Sequence, residues 1–252
     1  MSENGIKQCE NKGDCGVAAN TFRCELTATD NQSGSLHTVK PTGILDFFQT
    51  IAGAHAEKLG VSAESLIENG KCWVLESVSF EVINPIPSHA QVTLETYFHT
   101  PGRLFYERDY AIYDKSGNKS IIGTSRWLVL DIKTRRPIPR AVDYGCPGRD
   151  EYIMPMHEKI RCDFQNAEVL GEYKIHLSET DIVGHFNNTR YADVVFEFFP
   201  YAVKKMQIDF VKECLYGETL LVKSIKEGED IFIEGSVNGE RRFLAKIQVN
   251  NE

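Results

Sequence analysis

Between residues 178 and 191 the chain reads SETDIVGHFNNTRY, and Asp181, His185, Asn187 and Asn188 fall within eight residues of one another. An imidazole moves protons near neutral pH, and a carboxylate four residues before it can fix its orientation or tautomer. The segment lies where a strand pattern gives way to a helix pattern. A helix start offers free backbone N–H groups and a partial positive charge, which can hold a developing oxyanion. The same residues also have plain structural uses. Asn187 or Asn188 suits a helix N-cap, and Asp181 suits a turn.

The elements that must position this cluster are written twice. Residues 21–29 read as a strand, and residues 41–60 as a helix with Ile44, Phe47, Phe48, Ile51, Ala52, His55 and Leu59 on one face. Pro41 suits the start of that helix and Gly60 its end. His55 reads as a buried, hydrogen-bonded histidine. Four strand patterns follow at 71–82, 91–100, 103–114 and 120–132. The first places Cys72, Val74, Val78, Phe80 and Val82 on one face by strict alternation.

After a Pro- and Gly-bearing stretch, 135–155, the order recurs. Residues 172–177 form a strand pattern. Residues 187–205 are helical in their first part, until Pro200 kinks or ends the run. Strand patterns follow at 206–212, 219–225, 229–237 and 240–249, the last two joined by an Asn238-Gly239 hairpin turn. A helix covering one face of each antiparallel sheet, with the sheets pairing edge to edge, accounts for this order. The expected division is a tail at 1–19, a first half at 20–150 and a second half at 151–252.

The 252 residues carry a formal net charge of −8. That excludes a general nucleic-acid binder, which needs a concentrated basic surface. No apolar run reaches membrane-spanning length, and the N-terminus has no apolar signal region. Seven scattered cysteines without a C-x-x-C pair read as free thiols in a reducing cytoplasm. Cys9 and Cys15 allow a metal or redox pair, although a tail suits that segment better.

The pattern D-x-x-x-H-x-N-N-x-x-Y, here Asp181, His185, Asn187, Asn188 and Tyr191, resembles the signature of the acyl-acyl-carrier-protein (acyl-ACP) thioesterases, plant plastid enzymes with bacterial relatives. Trp73-Val74-Leu75, SRWLVLDIKTRRPIPR (125–140) and FVKEC (210–214) are similar to further family segments in consistent order. The resemblance implies an α+β tandem (double) hotdog fold, each half an antiparallel sheet wrapped around a long helix. It implies hydrolysis of the thioester joining a fatty acyl chain to acyl carrier protein, with no cofactor and no metal. Asp181 and His185 then become catalytic residues of the second half. Glu213 takes the family's acidic position, and Cys214 takes that of a neighbouring cysteine once assigned as nucleophile. Asn187, Asn188 and Trp73 become candidate substrate contacts, Trp73 as a wall of the acyl site. One departure stands out: Val183 occupies the place of an Asn two residues before the His, and its side chain neither donates nor accepts a hydrogen bond.

Two mechanisms compete. Water is activated by Glu213 while His185 orients it or protonates the leaving thiolate, or Cys214 attacks directly. Water is the better expectation, because Cys214 follows Glu213 and alternation turns it to the opposite face. An acidic carrier needs a local basic patch, for which Lys133, Arg135, Arg136 and Arg140 come first and Lys204 and Lys205 second. The rival functions are an acyl-coenzyme A thioesterase of the same fold and a non-catalytic acyl-binding module. A monomeric tandem and a homodimer are both compatible with the sequence.

Overall fold

The computed structural model describes residues 20–249, so the expectations for Cys9, Cys15 and the tail lie outside the described residues. Ten strands form one antiparallel sheet: β1 (Thr21–Thr27), β2 (Lys71–Val82), β3 (Gln91–Phe98), β4 (Tyr106–Tyr113), β5 (Lys119–Asp131), β6 (Glu168–Lys174), β7 (Val203–Phe210), β8 (Thr219–Glu227), β9 (Asp230–Val237) and β10 (Glu240–Val249). Their order is β1-β3-β4-β5-β2-β7-β10-β9-β8-β6, five strands from each half. The halves join where β2 pairs with β7, from Ser77↔Asp209 to Glu81↔Lys205. That pairing removes two exposed sheet edges.

Helix α1 (Pro41–Lys58) lies on one face and buries Ile44, Phe47, Phe48, Ile51, Ala52 and His55. Phe48 stacks on Tyr110 with ring centroids 4.1 Å apart. Gly123 permits this, since a Cβ there would collide with the Phe48 ring. A short helix, α2 (Ala63–Glu68), capped by the Ser62 hydroxyl, follows α1. In the second half a 3-10 turn at Asn188–Arg190 runs into α3 (Tyr191–Phe198). This helix is much shorter than α1. It ends two residues before Pro200, because proline disfavours helical backbone in the residue before it.

The two helix starts clasp reciprocally. Thr42 of α1 donates its hydroxyl to Asp193 of α3, and Thr189, just before α3, bonds to Asp46 of α1. Such exchange of equivalent contacts is how a two-fold interface is built, here within one chain. A single apolar cluster, with Phe47, Phe80, Ile208 and Phe243 among its members, spans both halves.

One expected face is reversed. The β2–β5 register shifts between Leu75 and Ser77, so Glu76 is an extra residue. Beyond it Val78 and Phe80 face the helix as expected. Before it the inward residues are Trp73 and Leu75, opposite Val129 and Trp127, instead of Cys72 and Val74. The bulge turns Trp73 into an aromatic group, edge-on to Tyr106 and Trp127 at 5.1 and 6.4 Å, with its Nε1 donating to Val61 O at 2.9 Å.

Residues 149–164 cross the opposite face of the sheet as a strap held by buried polar groups. Asp109 Oδ2 accepts the Ile153 amide at 2.7 Å, and Asp209 Oδ2 accepts that of Ile160 at 2.7 Å. Gln207 Nε2 donates to Glu158 O at 2.7 Å, and the hydroxyl of Ser79 meets His157 Nδ1 at 3.0 Å. His99 places Nε2 3.0 Å from Asp109 Oδ2 and Nδ1 2.9 Å from Arg149 O. Nδ1 donates to the Arg149 carbonyl, while Nε2 lies within ion-pair distance of the Asp109 carboxylate without hydrogen-bond geometry, so the carboxylate favours the protonated ring. Burial pulls the His99 pKa down, but Asp109, the Arg149 carbonyl and Glu107 together outweigh it and the net shift is upward.

A raised histidine pKa stabilises the fold fully below the unfolded value and loses that contribution as pH rises through the folded one. The thermal midpoint is therefore expected to fall as pH rises above about 6.5, and that of a His99→Gln variant to fall less steeply. Identical slopes for the two proteins would refute the charged pair. No described helix is long and apolar enough to cross a membrane.

Candidate active site

The segment after β6 folds into a tight, self-bonded loop. A 3-10 turn at Leu177–Glu179 is closed by Glu179 Oε2, which accepts the His176 amide at 2.8 Å. Asp181 N donates to His185 O at 2.8 Å, and Gly184 N to Asp181 O at 3.0 Å. Gly184 adopts φ +83°, a left-handed conformation natural to glycine. The Asp181 carboxylate does not reach the imidazole. Its Oδ1 accepts the amides of Val183 and His185 at 3.0 and 3.1 Å, so it fixes the backbone that carries His185 and leaves the ring's tautomer unset. Among the described residues nothing hydrogen-bonds to the His185 ring.

Asn187 is the N-cap of the following turn. Its Oδ1 accepts from the amide and hydroxyl of Thr189 at 2.9 and 3.1 Å, which leaves its NH2 to donate elsewhere. The Asn188 carboxamide makes no hydrogen bond among the described residues. Val183 sits at the loop tip, 57% exposed and beside the fully exposed Ile182.

The segment following β7 faces this loop. β7 stops at Phe210, so Glu213 and Cys214 lie in the connection to β8 and not in a strand. A single antiparallel bridge, His185↔Leu215, holds the two segments together, with Phe186 N donating to Cys214 O at 2.9 Å. In that register Phe186 lies opposite Cys214, and Asn187 opposite Glu213. Alternation then sends Phe186 and Cys214 into the core, where both are buried. His185, Asn187, Glu213 and Leu215 share the other face. Burial pushes the Cys214 thiol up to about 11, with Tyr191 against it. At pH 7 a thiol of that pKa is thiolate in only about one molecule in ten thousand.

Glu213 is tied across the molecule. Arg135, on the exit from β5, places Nη2 2.5 Å from Glu213 Oε1. Sequence reasoning gave Arg135 to carrier docking, and nothing in its spacing signals a partner seventy-eight residues away. Among the described residues no group of three or more His, Cys, Asp or Glu side chains is arranged to hold a metal.

The first half contains the same local fold with different side chains at the matching places. There Thr38 bridges Pro87, Val39 N donates to Ile86 O, and Lys40 N donates to Gln32 O, matching the His185, Phe186 and Asn187 contacts one for one. Gly34, Thr38, Lys40 and Pro85 thus occupy the places of Asp181, His185, Asn187 and Glu213. An apolar groove of about 50 Å³ lies there, lined by Val39, Ile44, Val82, Ile86, Phe196 and Val203 among others.

Residues 19–144 match the acyl-ACP thioesterase N-terminal domain, and residues 163–250 match the acyl-ACP thioesterase C-terminal domain. Among solved structures, an acyl-ACP thioesterase from Bacteroides thetaiotaomicron superposes with a TM-score of 0.86 at 20% identity, covering 93% of this chain and 100% of that one. The 12:0-ACP thioesterase from Umbellularia californica superposes with a TM-score of 0.82 at 16% identity, covering 94% and 100%. Both share the double hotdog fold. No curated protein sequence matches the chain. Both domains of one family are matched, in order, along a fold whose two halves repeat each other, and the chain belongs to the acyl-ACP thioesterase family of thioester hydrolases.

Proposed function

We propose that water, activated at the shared face of His185 and Glu213, hydrolyses the fatty acyl thioester to free fatty acid and carrier protein. The half from residue 151 to 252 carries this chemistry, and the half from 20 to 150 seats the acyl chain. The His185↔Leu215 bridge is the observation that carries the reading, because its register turns His185, Asn187 and Glu213 to one side.

Glu213 Oε1 is taken by Arg135, and Oε2 accepts the proton of the attacking water. The Asn187 NH2 steadies the tetrahedral oxyanion, in place of the amide absent at Val183. Asn188 is the second donor of this kind. His185 gives a proton to the departing thiolate, and Asp181 keeps His185 in place through the main chain. Trp73 lines the acyl site from the inner sheet face. Lys133, Arg136 and Arg140, with the exposed Ile182, Val183, Leu215 and Tyr216, form the rim that meets the carrier. Cys72, Cys146, Cys162 and Cys214 are free thiols, which suits a reducing cytoplasm.

The decisive experiment is hydrolysis of acyl-carrier-protein substrates from short to long chains, alongside the same acyl groups on coenzyme A and pantetheine. Turnover that is strongest on the carrier-bound series supports the reading. Acyl ligand held without turnover would replace it with a binding module. Within the active protein, Cys214→Ala is expected to keep kcat within about twofold and to lower stability by about 1 kcal/mol. Loss of turnover in a folded Cys214→Ala protein would restore the thiol as nucleophile.

A further inference from the structure

We propose that Arg135, from the first half, is the positioning residue for Glu213, so that the second half's site is completed only by its neighbour. This rests on the role of Glu213 proposed above. The contact is one-to-one: Nη2 holds Oε1 at 2.5 Å, which restrains where the carboxylate sits and leaves Oε2 for water. The side chains are 60% and 35% exposed, and a pair so exposed adds little to stability.

The backbone behind the arginine is more expensive than such a pair warrants. Arg135 has φ +56°, and a non-glycine residue held in the left-handed region is strained. The bend is pinned by Arg135 N to Asp131 O at 2.8 Å, Thr134 N to Asp131 Oδ1 at 2.7 Å and Asp131 N to Arg136 O at 3.0 Å. A strained, pinned bend aims one side chain at one target.

The target is fixed from its own side as well. Glu218 Oε2 accepts the Leu215 amide at 2.8 Å, while Glu218 Oε1 takes Nη2 of the buried Arg242 at 2.9 Å. The loop bearing Glu213 is thereby clamped against β10. In the first half Pro85 stands at the place of Glu213, so the matching position there offers an arginine no carboxylate. The pair exists only where the chemistry is proposed.

The test uses Arg135→Gly and Arg135→Lys, with kcat and KM measured on an acyl-pantetheine thioester and on the same acyl group carried by carrier protein. Glycine removes the guanidinium and also relieves the left-handed backbone, so the fold is retained. Arg135→Gly is expected to lower kcat about ten- to a hundredfold on both substrates, with KM within about twofold, as for a misplaced catalytic group. Lysine restores part of the loss. In a Glu213→Gln background Arg135→Gly is expected to have no further effect. A rise in KM confined to the carrier-bound substrate would overturn the inference and make Arg135 a docking cation. Unchanged kcat on both substrates would overturn it too, leaving an incidental surface pair. Hydrolysis of neither substrate by the unmodified protein would instead remove the thioesterase reading and this inference with it.

Discussion

His185→Ala is expected to lower kcat on fatty acyl thioesters by about two to four orders of magnitude, the usual contribution of one general acid–base group. The fold is expected to survive, because the ring makes no hydrogen bond among the described residues and the loop is held by other atoms. Asp181 Oδ1 binds the amides of residues 183 and 185, and the bridge to Leu215 uses the main chain. Alanine keeps all of these. The thermal midpoint should therefore move little while turnover collapses, with KM nearly unchanged.

The variant also separates His185 from Asp181. Asp181→Ala releases the backbone and is expected to lose order as well as rate, whereas His185→Ala loses rate alone. A His185→Ala protein with full turnover would mean that the thiolate leaves without this acid, and the proposed site would be wrong.

The repeat was legible because hydrophobic period survives divergence. Strand, helix and four strands recur in both halves, and β10 and β2 have the bounds their alternation predicts. The stripe on α1 was legible for the same reason. The face of Trp73 was not, since one extra residue at Glu76 flips everything before it and a bulge leaves no mark in composition.

The site was legible as a set of residues and only partly as a set of contacts. Spacing brought Asp181 near His185, but the carboxylate satisfies amides of its own loop first, because these are adjacent and otherwise unpaired. Asn187 is both things the sequence left open: a cap through its oxygen and a free donor through its nitrogen. The Arg135 contact joins the two halves and appears only when β2 and β7 pair. That contact depends on long-range assembly, which local pattern does not encode.

Asp109→Ala is expected to be strongly destabilising, at about 3–5 kcal/mol, because it removes the counter-charge of the buried His99, whose ring must then give up its proton or stay unpaired. His99 and Asp109 are only 3% and 0% exposed, so water cannot replace the lost partner. The same carboxylate also receives the Ile153 amide, and losing that acceptor orphans a strap N–H. Against a typical total of about 5–15 kcal/mol the loss consumes much of the stability. It corresponds to a fall in thermal midpoint of roughly 6–20 °C for a chain of this size.

Two controls identify the cause. Asp109→Asn keeps an acceptor for Ile153 but not the charge, so it isolates the ion pair. A His99→Phe/Asp109→Leu double variant removes both charges and keeps an aromatic ring against Tyr152, which stacks on His99 at 3.7 Å. It is expected to be more stable than Asp109→Ala alone, since a pair removed whole leaves no charge stranded. Residual kcat, measured well below the lowered midpoint, should stay near that of the unmodified protein. Asp109 and the strap lie on the sheet face opposite Arg108, whose guanidinium meets His55 of α1 at 2.9 Å. A double variant no better than Asp109→Ala would show that the cost lies in the strap's amide contacts and not in the buried charge.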